Sequence, residues 1–338
     1  MADPRIRQIE RYIKTINPKL LGLTAIGEVH ISGINRGGYN LNYRVDIDGR
    51  LFVFRLNLDA YLDVENQTVY ERDVMRAVEP AGIAPKVFFI DTKKDVLEHD
   101  LLVEEFLEHK PIRFGIEFLD EAGTLLKRLH VIPLPAGTGL IRNTDSFHDQ
   151  WKFIQKKIAF IKAHNIHSGF VESFTQHAPK IEAYVSQHAY KFRGDGICIN
   201  HGDPVIENFL STGKGLRLVD WQAAMADDPS YDLALFTCPI MVEWNLGRHL
   251  STEEEQAFFR GYNADEALLE KIRMRQPMVN LEIVVWCAYR AAYLRNKIDT
   301  NGAHKEDAIF FKKRFAAYEK FLDKKRIMRY LEVFYDHA

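Results

Sequence analysis

The apolar residues in the first third of the chain fall into short runs that are typical of β-strands. An Asp48-Gly49 pair separates two of these runs and favours the positive φ angles of a tight hairpin turn. Helices are predicted over residues 5–15 and 64–78. The predicted strands are Ile26–Ile31, Tyr43–Ile47, Phe52–Leu56, Val87–Ile90 and Leu101–Phe106, with a glycine-containing turn over 33–38. This order predicts a twisted antiparallel sheet with one helix after its third strand.

Most of the remaining chain has the ~3.6-residue apolar period of amphipathic helices. Further helices are predicted over 118–130, 151–163 and 180–190, and from Glu253 onward. Short apolar segments that end in polar residues, within 196–209 and over 216–221, are predicted as strands between the helices. The pattern therefore predicts an α+β fold, with a small part built on a sheet and a larger, mainly helical part.

Composition excludes several classes of protein. Hydrophobic residues make up 46% of the 338 residues and charged residues 27%, which is ordinary for a soluble globular protein. The formal net charge of -2 lacks the basic excess of a nucleic-acid-binding protein. The N-terminal segment has no signal-peptide core, and the longest apolar run, 283–289, is too short to span a membrane. The three cysteines form no CxxC pair, so we expect a cytoplasmic protein.

A short motif carries the candidate chemistry. The chain reads His201-Gly202-Asp203 and, after four further residues, Asn208; Asp220 then ends an apolar segment. Protein kinases have the same spacing between the Asp and Asn of their catalytic loop, and a second Asp after a short strand. A tight hairpin around residues 213–215 would bring the two parts of the motif together.

The residue types of this motif suit phosphoryl transfer. A carboxylate such as Asp203 can orient an acceptor hydroxyl and accept its proton. Mg²⁺ prefers hard oxygen ligands, which the amide of Asn208 and the carboxylate of Asp220 supply. The alternative interpretation is a plain turn and a strand end with solvated acids, because surface acids are common.

The full string resembles a known family. His201–Leu210, the VDWQ sequence of 219–222 and the DPSYDLA sequence of 228–234 resemble the aminoglycoside phosphotransferase, choline kinase and homoserine kinase-like superfamily, as does Leu129-His130. The resemblance implies a bilobal protein-kinase-like fold with an N-lobe over 1–107 and a C-lobe over 108–338. It also implies ATP or GTP as phosphoryl donor and Mg²⁺ as cofactor.

Two segments are candidates for the nucleotide site. Gly37, Gly38 and Asn40 resemble the family's nucleotide-covering loop, where glycines allow backbone amides to approach phosphate oxygens. Glu104 and Phe106 lie in a segment that resembles the hinge that binds the adenine edge. A hairpin turn and a core strand are the alternative interpretations of these two segments.

Arg55 stands where the resemblance places the strand lysine of protein kinases. A guanidinium stays charged and can bind two phosphate oxygens. Glu71, on the following predicted helix, is the expected partner of Arg55, and Glu65 is the competing candidate on that helix. A surface arginine and a solvated glutamate remain the alternatives.

Two further residues are expected to support the catalytic turn. His201 is expected to bond to backbone around the turn, and Asp232 resembles the family's buried aspartate that braces it. Trp221-Gln222 replaces the phenylalanine-glycine that follows the metal-binding aspartate in protein kinases. This replacement indicates a rigid small-molecule enzyme rather than a protein kinase with a mobile activation segment.

The acceptor site is the least defined part. Trp286, Tyr289 and Tyr293 share one face of a helix predicted over 281–294, and an aromatic face can stack on a quaternary ammonium group. Glu243 and Trp244 are a second pair of acceptor-binding candidates. Core packing is the alternative interpretation of the aromatic residues.

The sequence therefore predicts a small-molecule kinase that uses ATP or GTP and Mg²⁺, with Asp203 as base. The acceptor is predicted to be a small molecule with a hydroxyl, such as an amino alcohol, a sugar or an aminoglycoside-like compound. No nucleic-acid or membrane partner is expected, and the sequence indicates no oligomeric state. A catalytically silent nucleotide- or metabolite-binding module on the same fold is the alternative, and a protein kinase is a third possibility.

Overall fold

The computed structural model describes residues 3–135, 139–194, 196–299 and 305–335. The chain forms two compact units. The first comprises Met1–Ile141, Cys198–Ala226 and Gln256–Asn263, and the second comprises Arg142–Ile197, Asp227–Glu255 and Ala264–Ala338. The first unit contains residues from both predicted lobes, and the predicted boundary after residue 107 stays a prediction.

The described strands share a short length, as expected for a mixed fold. They are β1 (Val29–Arg36), β2 (Asn40–Ile47), β3 (Arg50–Asn57), β4 (Val87–Asp91), β5 (Asp100–Glu105), β6 (His109–Lys110), β7 (Cys198–Asn200), β8 (Phe209–Thr212), β9 (Gly215–Leu218) and β10 (Met225–Asp227).

The described α-helices dominate the chain after β6. They are α1 (Pro4–Ile13), α2 (Gln67–Val78), α3 (Ile116–His130), α4 (Ser146–Ala163), α5 (Ser168–His188), α6 (Ser230–Phe236), α7 (Pro239–Leu246), α8 (Thr252–Tyr262), α9 (Glu266–Asp299), α10 (Lys305–Glu319) and α11 (Lys324–Glu332).

A five-stranded antiparallel sheet forms the N-terminal part of the first unit, in the order β1-β2-β3-β5-β4. β2 alternates between buried and half-buried residues, so one of its faces lies in the core. The turn at Asp48-Gly49 has φ angles of 52° and 82°, as predicted. α1 contributes Ile9 and Ile13 to the same core.

β1 differs from its prediction. The strand continues through Gly33 to Arg36, where a turn was expected, and its register against β2 shifts between Gly33 and Asn35. An irregularity of this kind absorbs an extra residue without ending the strand, and glycine is well suited to it. The connection between β1 and β2 is therefore shorter than the predicted turn.

α2 begins two residues after Glu65, because the Asn66 side chain caps it by accepting a hydrogen bond from Val69 N at 2.9 Å. The predicted start at residue 64 was therefore three residues too early. The helix ends at Val78, as predicted, and passes into a single 3-10 turn at Glu79–Ala81 that contains Pro80. Tyr70, Val74 and Met75 are buried.

The middle of the first unit contains the hairpin that was predicted around residues 213–215. β8 and β9 pair from Phe209–Leu218 to Thr212–Gly215, and β6 pairs with the outer side of β8. The predicted strand over 216–221 was too long, because Trp221 lies in a 3-10 turn, Trp221–Ala223. Within 196–209, only β7 and the first residue of β8 are strand.

The second unit is helical, and the long helix α9 packs against α4, α6 and α10. α5 begins at Ser168 and continues across Pro179, so the helix predicted over 180–190 is the second half of a longer helix. Proline removes one hydrogen bond of a helix but does not always end it.

The antiparallel sheet and the helical remainder confirm the predicted α+β class. None of the described helices combines the length and the apolar composition needed to cross a membrane.

Candidate active site

The predicted catalytic turn joins β7 to β8. Gly202 has a φ of 78°, and a Cβ atom there would overlap the carbonyl oxygen of Ala223, so this position requires glycine. Asn208 Nδ2 donates a hydrogen bond to the carbonyl oxygen of Asp203 at 2.8 Å and lies 3.3 Å from the Asp203 carboxylate. The turn thus holds the side chains of Asp203 and Asn208 next to each other.

His201 connects this turn to the residue before Asp220. The imidazole is fully buried, and its Nε2 lies 3.1 Å from the carbonyl oxygen of Val219. The ring also meets Trp221 in an edge-to-face contact with a centroid distance of 4.6 Å. Val219 N donates to the carbonyl oxygen of Asn208 at 3.0 Å, which places Asn208 beside the Asp220 segment. The supporting role of His201 stays a prediction.

Arg55 points its guanidinium group from β3 towards two carboxylates. Nη2 hydrogen-bonds to Asp220 Oδ1, and the same atom lies 3.2 Å from Glu71 Oε1. The side chains of Arg55 and Glu71 are only 4% and 2% exposed, so water does not screen their attraction. The structure brings Glu71 to Arg55, whereas Glu65 is exposed.

Burial shifts the pKa values of the charged groups in this cluster. Desolvation raises the pKa of Glu71 to about 7 and that of Glu104 to about 8, although Arg55 opposes both shifts. Burial alone would lower the pKa of Arg55, but the carboxylates of Asp220, Glu71 and Glu104 offset it and raise this pKa. One guanidinium therefore faces three carboxyl groups, and burial favours the protonated form of two of them, Glu71 and Glu104.

A cavity of about 280 Å³ opens at this cluster. Among the predicted site residues, Arg55, Glu104, Phe106, Asn208 and Asp220 line it. The predicted hinge, the predicted metal ligands and the strand arginine thus share one cavity.

Several walls of the cavity were not predicted. Asn42 faces Arg55 across the β2–β3 ladder, Val53 lies two residues before Arg55 on the same face of β3, and Val219 precedes Asp220. The period of two along a strand could have identified Val53 once Arg55 had been chosen. Predicting that Asn42 lines the cavity requires the pairing register of β2 and β3, and the sequence of β2 alone does not give this register.

The glycine-containing loop lies between β1 and β2. Gly37 N donates to the carbonyl oxygen of Asn40 at 3.0 Å, which closes the loop. The amide group of Asn40, with its oxygen facing Arg55, accepts from Nε at 3.2 Å and from Nη2 at 2.5 Å. This amide also lies 2.9 Å from the side-chain amide of Gln222. The structure therefore places Asn40 at the arginine, while Gly37 and Gly38 are not lining residues of the cavity.

α2 is hydrogen-bonded to the segment that follows Asp220 through Glu71 and through two residues that the sequence did not indicate, Gln67 and Tyr70. Gln67 Nε2 donates to the carbonyl oxygen of Gln222 at 2.9 Å, and the Tyr70 hydroxyl donates to that of Ala224 at 2.6 Å. Glu71 accepts from the backbone of Trp221. α2 is thus coupled to the position of Asp220 by three contacts along the helix.

The acceptor candidates of the second unit lie among packed side chains. Trp244 stacks on Phe321 with centroids 4.8 Å apart, and Trp286 meets Tyr318 edge-on at 5.2 Å. Trp244 also lies 5.8 Å from Tyr318, so the two tryptophans converge on one ring. Glu243 accepts from Arg326 at 3.0 Å.

Tyr289 lies elsewhere in the second unit, edge-on to Phe160 at 4.9 Å and beneath the ammonium group of Lys157 at 4.5 Å. Asp232 is fully buried in α6. The acceptor role of Tyr289 and the bracing role of Asp232 stay predictions.

Asn208 and Asp220 line one cavity together with Arg55, and Asp203 lies beside Asn208, which is the arrangement expected of a phosphoryl-transferring enzyme. Residues 30–274 match the family model APH, the phosphotransferase enzyme family, and the chain belongs to this family. Membership confirms both the predicted superfamily and the predicted class of enzyme, a small-molecule kinase.

Solved structures with the same fold include kinases of different acceptors. An ethanolamine kinase of Plasmodium vivax is 16% identical, with a TM-score of 0.65 over 94% of this chain and 89% of that one. A choline/ethanolamine kinase family protein of Mesorhizobium loti is 19% identical, with a TM-score of 0.57 over 97% and 99%. A spectinomycin phosphotransferase, solved with ADP and spectinomycin, is 15% identical, with a TM-score of 0.56 over 91% and 94%. No curated protein sequence matches the chain.

Proposed function

We propose that the protein transfers the γ-phosphoryl group of ATP or GTP to a hydroxyl of a small molecule, with Mg²⁺ as cofactor and Asp203 as general base. The observation that carries the proposal is the convergence of Arg55, Asn208 and Asp220 on one cavity, with Asp203 held beside Asn208. These side chains come from β3, the catalytic turn and the segment that follows β9, and the fold has to assemble them.

Asp203 is suited to the acceptor step. Its carboxylate is only partly buried and can therefore receive an incoming alcohol. The alcohol oxygen forms a bond to the γ-phosphorus while the bond from that phosphorus to the bridging oxygen breaks, and the nucleoside diphosphate leaves. Asp203 orients the hydroxyl and accepts its proton, and Asn208 restricts the orientation of the Asp203 carboxylate.

The residues present fit a magnesium ion. Asn208 and Asp220 would hold it, since both provide hard oxygen donors. No group of three or more His, Cys, Asp or Glu residues forms a metal cage in the described part of the chain. This agrees with an ion that takes most of its ligands from phosphates and water. When bound, Mg²⁺ would neutralise charge on the β- and γ-phosphates.

The cavity supports the nucleotide assignment. Val53 and Val219 provide apolar surface for a base, and Glu104 and Phe106 belong to the segment that resembles the hinge. Arg55 supplies a positive charge at the end near Asp220. The spectinomycin phosphotransferase was solved with ADP, which is consistent with a nucleotide donor here.

The proposal assigns the acceptor to one chemical class, small molecules with a hydroxyl group. Amino alcohols, sugars and aminoglycosides belong to this class. The similar structures include kinases of the first and last kinds. The proposal also includes a cytoplasmic location, supported by three buried cysteines that form no disulfide.

The test is an acceptor panel with ATP and with GTP: choline, ethanolamine, homoserine, thiamine, methylthioribose, hexoses and aminoglycosides including spectinomycin. We expect diphosphate release that depends on one class of acceptor and a product heavier by one phosphoryl group in mass spectrometry. The Asp203→Asn variant is the matched control. Tight Mg·ATP binding with no acceptor-dependent turnover across the panel would favour the silent binding module instead.

A further inference from the structure

A second cavity of about 440 Å³ lies in the first unit, and six residues of Asn66–Ala77 on α2 and its cap line it. It is larger than the cavity at Arg55, and the two share no lining residue among those described. Its volume is within the range of small-molecule sites, which is roughly 300–1,000 Å³. None of the predicted catalytic, metal or nucleotide residues lines it.

The lining has an apolar wall and an acidic rim. Val69 and Val74 of α2 line it together with Leu140 and Ile199. Glu65 and Asp73 add two carboxylates. No Lys, Arg or His is present among the described lining residues. A ligand that complements this surface combines a positive charge with an apolar body.

The two carboxylates differ in their surroundings. Asp73 accepts a hydrogen bond from Arg72 Nε at 2.8 Å, which offsets part of its charge. Glu65 is exposed, precedes the Asn66 cap and lies before the first turn of α2. We therefore expect Glu65 to contribute more than Asp73 to binding a cation.

The cavity and the catalytic site have α2 in common. Tyr70 lines the cavity, and its hydroxyl donates to Ala224, four residues after Asp220. Glu71 is next in the helix and pairs with Arg55. A ligand that displaces or clamps this helix must act on the Arg55–Glu71 pair and on the Asp220 segment through these contacts.

We propose that this cavity is a regulatory site for an organic ammonium compound with an apolar body, and that its occupancy changes the affinity of the protein for nucleotide. The site lies outside the proposed phosphoryl-transfer site. Its link to nucleotide affinity rests on the proposed function, whereas ligand binding itself does not.

The first experiment measures binding by calorimetry without nucleotide. The probe is 4-phenylbutylammonium, which has no hydroxyl and cannot be an acceptor; its controls are neutral 4-phenylbutanamide and anionic 4-phenylbutyrate. We expect 1:1 binding of the ammonium compound at least about tenfold tighter than of either control. Equal binding of the amide, or no binding of the ammonium compound, would overturn the proposal.

Variants locate the binding. Glu65→Gln should weaken binding of 4-phenylbutylammonium by about threefold to fivefold, and Asp73→Asn by a smaller factor. Glu10→Gln removes an exposed carboxylate of α1, outside the cavity, and should leave the affinity unchanged. All three substitutions are on the surface and should not prevent folding. An affinity that does not respond to Glu65→Gln and Asp73→Asn would place the probe elsewhere and refute the assignment.

The second experiment measures the Mg·ADP affinity with and without saturating 4-phenylbutylammonium. We expect a change of about fivefold or more, and the same factor for the probe when Mg·ADP is saturating, since coupling between two sites is reciprocal. The probe concentration that gives half of this change should be about threefold to fivefold higher in Glu65→Gln than in the wild type. Probe binding with an unaltered Mg·ADP affinity would overturn the regulatory link, and failure of ADP to bind at all would instead count against the proposed function.

Discussion

Arg55 Nη2 lies 3.2 Å from Glu71 Oε1, and both side chains are almost completely buried. Because the same nitrogen also contacts Asp220, Glu71 fixes the position from which the guanidinium group can meet a phosphate or the Asp220 carboxylate. Glu65 precedes the same helix and is exposed, so the two glutamates provide a matched comparison.

Glu71→Ala should weaken Mg·ADP binding by about tenfold and lower the free energy of unfolding by about 3 kcal/mol, because it leaves a buried guanidinium with one partner fewer. Glu65→Ala should change the free energy of unfolding by less than about 0.5 kcal/mol. Calorimetry and urea unfolding measure the two quantities. A larger effect of Glu65→Ala than of Glu71→Ala would show that the wrong glutamate has been paired with Arg55.

Asp203→Asn should lower turnover by about 10²- to 10⁴-fold, since the amide cannot accept the proton of the acceptor hydroxyl. The affinity for Mg·ADP should stay within about threefold of wild type. Steady-state rates with the best acceptor of the panel, together with calorimetry, separate the two effects. Asp95→Asn, a distant exposed carboxylate of the first unit, is the control. Turnover near the wild-type rate in Asp203→Asn would remove this residue from the role of base.

The pH dependence of the free energy of unfolding should reflect the ionisation of the buried carboxyl groups of Glu71 and Glu104. Burial raises the pKa of Glu104 to about 8 and that of Glu71 to about 7, so the folded protein holds protons that the unfolded chain loses near pH 4.5. The contribution of these two groups to the free energy of unfolding should therefore be largest near pH 5 and should fall as the pH rises to about 8.

Glu104→Gln should flatten this dependence in the nucleotide-free protein and raise the melting temperature at about pH 8.5 relative to wild type, because the glutamine cannot ionise and avoids burying a charge. Melting temperatures measured at several pH values, without metal, give the result. An equally steep decline in Glu104→Gln would mean that other groups cause the pH dependence.

Local patterns predicted the parts of the site that lie within one segment. Asp203 and Asn208 belong to one turn, and the alternation of β2 and β3 defines which residues face the core. Gln67 and Tyr70 could not be predicted in the same way, because their hydrogen-bond partners lie 155 and 154 residues away in the chain. Only the assembled fold defines such contacts.

The contacts of the aromatic residues of α9 also depend on the assembled fold and could not be predicted from their spacing. Their spacing predicted one face, but Trp286 packs against Tyr318 of α10 while Tyr289 packs against Phe160 of α4. The helical period describes a face and not the neighbours that cover it. The prediction over 180–190 covered only the second half of α5, because the helix begins at Ser168 and continues across Pro179.

Arg275 provides a prediction for the second unit. It is fully buried on α9, and its Nη1 lies 3.2 Å from Asp227 Oδ1, which is also buried. Arg275→Leu should lower the free energy of unfolding by about 3–5 kcal/mol, because Asp227 would be left as a buried carboxyl without its cation. Circular dichroism during urea unfolding measures the change.

Arg273→Leu is the matched control for Arg275→Leu. Arg273 lies on the same helix, is 62% exposed and pairs with Glu266, which is 79% exposed. Exposed ion pairs contribute little, so this variant should change the free energy of unfolding by less than about 1 kcal/mol. Similar destabilisation by the two substitutions would contradict the importance assigned to the buried pair.

Two features of the catalytic turn require glycine at position 202: a positive φ angle and a close approach to Ala223. The variants Gly202→Ala and Gly82→Ala distinguish them. The new Cβ of Gly202→Ala would overlap the Ala223 carbonyl oxygen, and the φ of 78° would also be strained. At Gly82, φ is 66°, but apart from the adjacent residues of the chain no atom lies within 4 Å of the place that a Cβ would take, so Gly82→Ala carries the strain alone. Gly82→Ala should therefore lower the free energy of unfolding by about 1–2 kcal/mol.

Gly202→Ala should lower the free energy of unfolding by at least about 2 kcal/mol more than Gly82→Ala does. It should also abolish turnover, because the turn that carries Asp203 has to move away from Ala223. Urea unfolding and steady-state rates of both variants measure the two effects. Equal destabilisation by the two substitutions, with turnover retained in Gly202→Ala, would show that the close approach of the turn to Ala223 is not needed.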